Sequence, residues 1–286
     1  MATLFSTEFL MQTQYLINGK RDHCLSPLDR GFSYGDGVFR TFRFRQGEGQ
    51  CWELHYARLR EDCNRLGIVC PSANVILNDI HSLCSQNDDV VLKIIVTRGE
   101  SARGYAVPAL AQPNRVVIKS AMPDYPASHF SEGVNLHLCQ TRLSIQPRLA
   151  GIKHLNRLEN VLARMEWTDT QVADGLLLDV DGNVIECTMS NLFLRCGDRL
   201  VTPDLGRCGV AGVTRQRIMA LAPTLGYAAE VDSFNLDVLN QADELVICNS
   251  LYGAWQVRRL NGASWPAGEL AERLRHYLEK NDAIIG

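Results

Sequence analysis

No stretch of about 18 consecutive apolar residues occurs among the 286 residues, so no membrane-spanning helix is expected. The run Val90–Val96 is apolar but strand-sized, and Lys93 interrupts it. Met1 to Gln14 carry Glu8 and no basic cluster, so no secretory leader is expected. The ten cysteines form no C-x-x-C pair. Without a leader they read as reduced thiols in a cytoplasm, most of them small buried hydrophobes. The seven histidines show neither H-x-x-x-H nor H-E-x-x-H spacing, which argues against a zinc site. The motifs G-x-x-x-x-G-K-[ST] and G-x-S-x-G are missing, and so is a strand–G-x-G-x-x-G–helix unit. Their absence argues against P-loop NTPases, α/β-hydrolases and Rossmann dehydrogenases. Basic residues number 29 and acidic residues 32, a net charge of −3, so nothing marks a nucleic-acid binder. Lysine is scarce: only Lys20, Lys93, Lys119, Lys153 and Lys280 occur. Chemistry that needs a primary amine therefore has five candidates.

Hydrophobic residues make up 46% of the chain, enough for real cores, which excludes a disordered or low-complexity protein. At roughly 150 residues per domain, the length suggests two domains. Residues 1–122 read as a smaller N-terminal α+β domain. Tyr15–Ile17 is apolar and runs into the hairpin signal Asn18-Gly19. Ser33–Phe44 contains Val38, Phe39, Phe42 and Phe44 and reads as a strand after the turn Gly35-Asp36-Gly37. Helices are expected over Leu54–Leu66 and Ser72–Ser85, and strands over Val90–Thr97 and Arg115–Ala121. Residues 123–131 hold Pro123 and Pro126 and read as a linker.

Residues 132–286 read as a larger C-terminal domain that begins with a strand at Val134–Cys139. The spacing of Leu155, Leu158, Val161, Leu162 and Met165 predicts an amphipathic helix over Leu155–Thr168. Two hairpins are expected, Leu176–Asp179 with Val184–Cys187, and Asn191–Arg195 with Leu200–Thr202. A helix over Thr214–Leu225, strands over Glu244–Cys248 and Ala254–Leu260, and a helix over Ala267–Glu279 complete the chain.

Three segments carry the chemistry. In Gly151-Ile152-Lys153-His154-Leu155-Asn156 a lysine sits at the end of an element, where partial desolvation makes an amine a usable nucleophile or base. In Gly206–Arg215 glycines recur before a helix whose backbone N–H groups, with the Thr214 hydroxyl, suit a phosphate. In Glu186–Phe193 a carboxylate ends an apolar strand and needs a partner, such as a protonated heterocyclic nitrogen. Taken singly, each also fits a plain structural part: a solvated turn lysine, a capped loop, a glutamate paired with an arginine. Taken together, an amine, a carboxylate and a phosphate cradle suit a pyridoxal phosphate enzyme.

From Glu186 to Arg215 the chain reads E-C-T-M-S-N-L-F, six residues, L-V-T, seven residues, V-A-G-V-T-R. This resembles the signature of the class-IV, or fold type IV, pyridoxal-phosphate-dependent aminotransferases at every position. The segment Arg148–Glu159, with Arg98-Gly99, Arg103-Gly104-Tyr105 and Val246–Asn249, is most similar to the lyase branch of that family. Those enzymes split 4-amino-4-deoxychorismate into 4-aminobenzoate and pyruvate, and the aminobenzoate feeds folate synthesis. The resemblance implies a mixed α and β, two-domain fold like that of D-amino-acid aminotransferase, a cofactor between the domains and a homodimer.

It also implies roles for individual residues. Lys153 would be the Schiff-base lysine and proton shuttle, and Glu186 the partner of the pyridine nitrogen. Arg58, Val213, Thr214 and Ser250 would hold the phosphate. Arg103, with Tyr105, Asn249 and Tyr34, would meet the two substrate carboxylates. One departure is Arg157, which falls where aminotransferases of this fold often carry a tyrosine. A branched-chain or D-amino-acid aminotransferase on the same fold is the alternative, because it shares every cofactor residue.

Overall fold

The computed structural model describes residues 13–280, so Met1 to Gln12 of the N-terminal extension and the last six residues lie outside it. The chain divides into two compact units. The first holds the chain up to Pro123 together with Lys153–Asn156; the second holds Asp124–Ile152 and the chain from Arg157.

In the first unit, β-branched and aromatic residues alternate with polar ones, the pattern of a sheet with two unlike faces. The sheet has the order β1 (Gln14–Ile17), β5 (Asn114–Ala121), β4 (Val90–Thr97), β2 (Gly37–Arg45), β3 (Glu48–Gly49), with every pair antiparallel. On one face Val38, Phe42, Phe44, Leu92, Ile94, Val96 and Val117 are buried. Helices α2 (Trp52–Arg65) and α3 (Ala73–Leu83) lie against the sheet and bury Leu59, Cys63, Ile76 and Ile80. The other face carries the half-buried Phe39, Thr41, Lys93 and Ile95.

One expectation changes here: Asn18-Gly19 closes only an Ile17–Lys20 bridge, and β1 takes its ladder from the distant β5. The strand expected after the Gly35-Asp36-Gly37 turn forms as β2 from Gly37, and the residues before that turn, Arg30–Tyr34, form a short helix, α1, capped by the Asp29 carboxylate.

The second unit is built on a mixed sheet. Its order is β11 (Ala228–Asp232), β10 (Arg199–Pro203), β9 (Asn191–Cys196), β12 (Glu244–Asn249), β13 (Gly253–Leu260), β6 (Val134–Leu143), β7 (Val172–Asp179), β8 (Val184–Cys187), and β14 (Ala263–Ser264) pairs with β13. Both expected hairpins form, β7 with β8 and β9 with β10. Helix α4 (Ala127–Ser131) brings His129 and Phe130 edge-on to Trp255, whose indole stacks on Tyr252 at 3.6 Å.

Helix α5 is shorter than expected, Leu158–Arg164, because Lys153–Asn156 are committed to the first unit. Its apolar stripe is not core: Leu158, Val161, Leu162 and Met165 are exposed, and Ala163 is the buried residue. Helix α6 (Val213–Leu221) gives way at Ala222–Leu225 to a 3₁₀ turn containing Pro223, which lacks the N–H an α-helix needs. Helix α7 (Leu236–Leu239) is a single turn, and α8 (Leu270–Lys280) closes the described chain. Residues of α6 and α8 share a core with Phe193, Leu200 and Val246.

Candidate active site

Lys153 is held by its main chain. Its C=O accepts from the Phe39 N–H at 2.9 Å, and the Leu155 N–H donates to the Gly37 C=O at 3.0 Å, so Lys153–Leu155 run along the end of β2 as an extra strand. Gly35 makes room for this. It sits at φ +66°, and a Cβ there would lie 2.1 Å from Asn156 Oδ1. The Lys153 N–H donates to Asp62 Oδ2 at 3.2 Å. That carboxylate also receives Arg40 Nη2 at 2.5 Å, and both partners are buried. Burial pushes the Asp62 carboxyl up, while Arg40 and the Lys153 N–H pull it down; the net direction is upward. The Lys153 ammonium lies 4.8 Å from the centre of the Phe39 ring.

Arg58 lies on α2 and pairs with Glu61 one turn on at 2.8 Å. Tyr34 and Tyr105 are brought together, with ring centres 5.3 Å apart, and the Tyr34 hydroxyl accepts the Gly104 N–H at 3.1 Å. Their loop is braced from inside: Asp36 receives Arg30 at 2.8 Å and Arg98 at 2.7 Å, and Arg30 also donates to the carbonyls of Gly104 and Tyr105. Burial works to raise the Asp36 carboxyl, but the two arginines hold it below its ordinary value. Arg98 is thereby a structural arginine, whereas Arg103 is exposed.

In the second unit, Glu186 is the penultimate residue of β8 and is buried, with Oε2 accepting the Val210 N–H at 2.8 Å. Gly209 makes that approach possible, since at φ +84° its Cβ would lie 2.7 Å from Ile185 and 2.8 Å from Leu205. Asn191 stitches the next turn, donating to the Val210 C=O at 2.9 Å and accepting the Gly212 N–H at 3.1 Å. Gly151 pairs with the same turn: its N–H reaches the Gly209 C=O at 2.9 Å, and its C=O receives the Ala211 N–H at 3.0 Å. The turn opens into α6, where Thr214 is buried and its hydroxyl lies 3.2 Å from that of Ser250. Two hydroxyls at the start of a helix, where backbone N–H groups point outward, suit an anion. The Asn249 side-chain oxygen accepts the N–H groups of Leu251 and Tyr252, and its amide nitrogen donates to the Met189 C=O at 3.5 Å.

Four buried or half-buried charged side chains escape motif reading. Asp174 is wholly buried and receives the hydroxyls of Thr188 at 2.5 Å and Ser190 at 2.6 Å, which pins the loop after Glu186. Burial drives its carboxyl upward against those bonds. Asp174, the Arg40–Asp62 pair and Lys93 share one sequence signal, a charge at an apolar position of a strand or helix period.

Fold and residues together define a class. The chain belongs to the class-IV aminotransferase family: residues 37–260 match the family described as Amino-transferase class IV. Within that class it is similar to aminotransferases, among them a putative branched-chain-amino-acid aminotransferase of Methanocaldococcus jannaschii at 28% identity over 91% of this chain, and at higher identity to lyases. It is 37% identical over 265 residues to the aminodeoxychorismate lyase of Vibrio harveyi, covering 91% of this chain and 98% of that one. It is 29% identical to the aminodeoxychorismate lyase of Bacillus subtilis, over 82% of each chain. The crystal structure of 4-amino-4-deoxychorismate lyase from Pseudomonas aeruginosa superposes with a TM-score of 0.88 at 45% identity, covering 94% of this chain and 99% of that one.

Proposed function

We propose that this protein is a pyridoxal-phosphate-dependent lyase that converts 4-amino-4-deoxychorismate to 4-aminobenzoate and pyruvate. The observation that carries the reading is a lysine fixed through its main chain, together with a buried glutamate fixed beside a hydroxyl-lined helix start. The lyases named above, at 29–45% identity, support the same substrate.

The residues fit the cofactor. The cradle of Val213, Thr214 and Ser250 suits a phosphate, and Arg58 offers a planar fork to two of its oxygens. Glu186, already holding one backbone N–H, suits a protonated ring nitrogen. When bound, pyridoxal phosphate supplies a conjugated ring that accepts electrons from the carbon bearing the substrate amine. Glu186 would keep that ring protonated, and Lys153 would hold the cofactor through its amine. The Lys153 amine, its main chain tethered at Asp62 and Phe39, would remove the proton from the amine-bearing carbon of the substrate and return one to the departing enolpyruvyl group. Aromatisation of the substrate ring drives the cleavage. Arg103, Tyr105, Tyr34 and Asn249 are the proposed substrate contacts.

A homodimer is part of the proposal, supported by the exposed apolar side chains of Leu158, Val161, Leu162 and Met165. So is a cytoplasmic location, supported by ten free thiols. Among the described residues, no helix is long and apolar enough to cross a membrane.

Incubation with 4-amino-4-deoxychorismate should release pyruvate and 4-aminobenzoate in equal amounts, and Lys153→Ala should release neither. Normal pyruvate release by that variant would overturn the assignment. Turnover of a 2-oxo acid with an amino donor, without the lyase products, would favour the aminotransferase.

A further inference from the structure

The thiols of Cys63 and Cys70 play no part in the proposed chemistry, yet the backbone folds so that they meet. Cys63 lies in the last turn of α2 and is fully buried, and Cys70 lies half-buried in the loop before α3. Gly67 turns the chain back at φ +64°, and the Ile68 N–H returns to the Cys63 C=O at 2.8 Å. Arg98 clamps this turn, donating to the carbonyls of Leu66 at 2.7 Å and Gly67 at 2.8 Å. Beyond Cys70, the Tyr56 hydroxyl holds the Pro71 C=O at 3.2 Å. Cys70 is thus fixed on both flanks, and the Cys63 thiol donates a hydrogen bond to its sulfur.

The two sulfurs are unequal. The bond to Cys70, together with burial and the nearby Asp62 carboxylate, pushes the Cys63 thiol up against the opposing pull of Arg40, so it keeps its proton. The same bond and the Arg60 guanidinium pull the Cys70 thiol down against its burial. When it does carry a proton, Cys70 donates it to the Pro71 C=O at 3.5 Å. A partly exposed sulfur with thiolate character is what oxidants attack, and a protonated thiol in contact with it is what resolves the product. By contrast, burial pushes the thiols of Cys84, Cys139, Cys208 and Cys248 up, which leaves them poor nucleophiles.

We propose that Cys63 and Cys70 are a redox modification site, a dithiol that a hydroperoxide closes to a disulfide, slowing turnover until a small-molecule thiol reopens it. The Cys70 sulfur attacks one oxygen of the hydroperoxide. The O–O bond breaks, the other oxygen leaves as hydroxide or alkoxide and is protonated, and Cys70 becomes a sulfenic acid. The Cys63 sulfur then attacks the Cys70 sulfur, its proton joins the departing oxygen, and water leaves. The two thiols have given up two electrons and two protons, and the hydroperoxide has taken them up. A disulfide holds its sulfurs about 2.05 Å apart, closer than any hydrogen bond, so the last turn of α2 must shift. Asp62, which holds the Lys153 N–H and the Arg40 guanidinium, is the residue before Cys63 and shifts with it. The dithiol stands apart from the lyase reading, and its effect on turnover rests on that reading.

The test treats the holoenzyme with a small excess of hydrogen peroxide, alkylates the remaining thiols and digests with trypsin without reductant. Cleavage after Arg65 separates Cys63, in Glu61–Arg65, from Cys70, in Leu66–Lys93. Mass spectrometry should find these two peptides joined, and dithiothreitol should part them. Pyruvate release should fall about tenfold, since misplacing a reacting group by about 1 Å costs up to about a hundredfold, and dithiothreitol should restore it. Cys70→Ser should keep the rate of the reduced wild type, give no joined peptides and show no loss that dithiothreitol reverses. Three results overturn the proposal: unjoined peptides in the wild type, joining that persists in Cys70→Ser through Cys84, or joined peptides with an unchanged rate. A reduced wild type that releases no pyruvate refutes the lyase reading alone, and the joined peptides still decide the dithiol.

Discussion

Asp62 stands one helical turn beyond Arg58, yet its work is done on Lys153. Its carboxylate joins the Lys153 N–H to the Arg40 guanidinium, with both side chains nearly sealed from water. Removing one partner of such a pair leaves a buried charge uncompensated and costs about 3–5 kcal/mol. Asp62→Ala should lose stability on that scale in urea unfolding. The double variant Arg40→Met, Asp62→Leu should recover most of the stability but not the lyase rate, because the Lys153 N–H loses its bond to the Asp62 carboxylate. Equal activity in the double variant and the wild type would show that this tether is unnecessary. Glu186 offers the second residue-scale test. Glu186→Gln can still accept the Val210 N–H but carries no charge, so cofactor should remain bound while turnover falls about a hundredfold or more, as when one electrostatic stabiliser is removed. Absorbance spectra and steady-state rates separate the two effects.

At the scale of elements, Glu166 fastens the end of the α5 region to β6. Burial works to raise its carboxyl, but the hydroxyl and N–H of Thr141, the Gln140 N–H and His137 overcome this and bring it to about 2. The ionised form is thus favoured by folding. Its stabilisation is complete above the ordinary value of 4.5 and fades as pH falls toward about 2. Glu166→Gln should flatten the stability curve in that acid window, and an unchanged slope would contradict the assignment. Sheet elements were the most legible in the sequence. Val90–Thr97 forms β4 with the expected bounds, because a β-branched run flanked by polar residues has few alternatives. Helix α5 was less legible, since the stripe Leu158, Val161, Leu162, Met165 predicts a buried face and the structure leaves it exposed. Periodicity tells which residues share a face and is silent on what covers it. For the candidate site, the signature around Glu186 and Thr214 was readable as a motif. The Asp62 tether was not, because it depends on a contact 91 positions away in sequence.

For the whole molecule, the exposed α5 face gives the proposed homodimer a place to be tested. Changing Leu162 and Met165 together to Asp should shift sedimentation from dimer to monomer, because two charges would then have to be buried in an apolar contact. A dimer that survives would remove this face from the interface. The assignment of Lys153–Asn156 to the first unit reaches further. A gene cut in the proline-containing stretch near residue 123 would yield an N-terminal fragment without that ribbon. Its Phe39 N–H and Gly37 C=O would then have lost their partners, so it should behave as a sticky, incomplete sheet. Co-expressed with the remainder, the two pieces should reassemble, and the protein would serve as a split reporter whose signal requires the piece bearing Lys153.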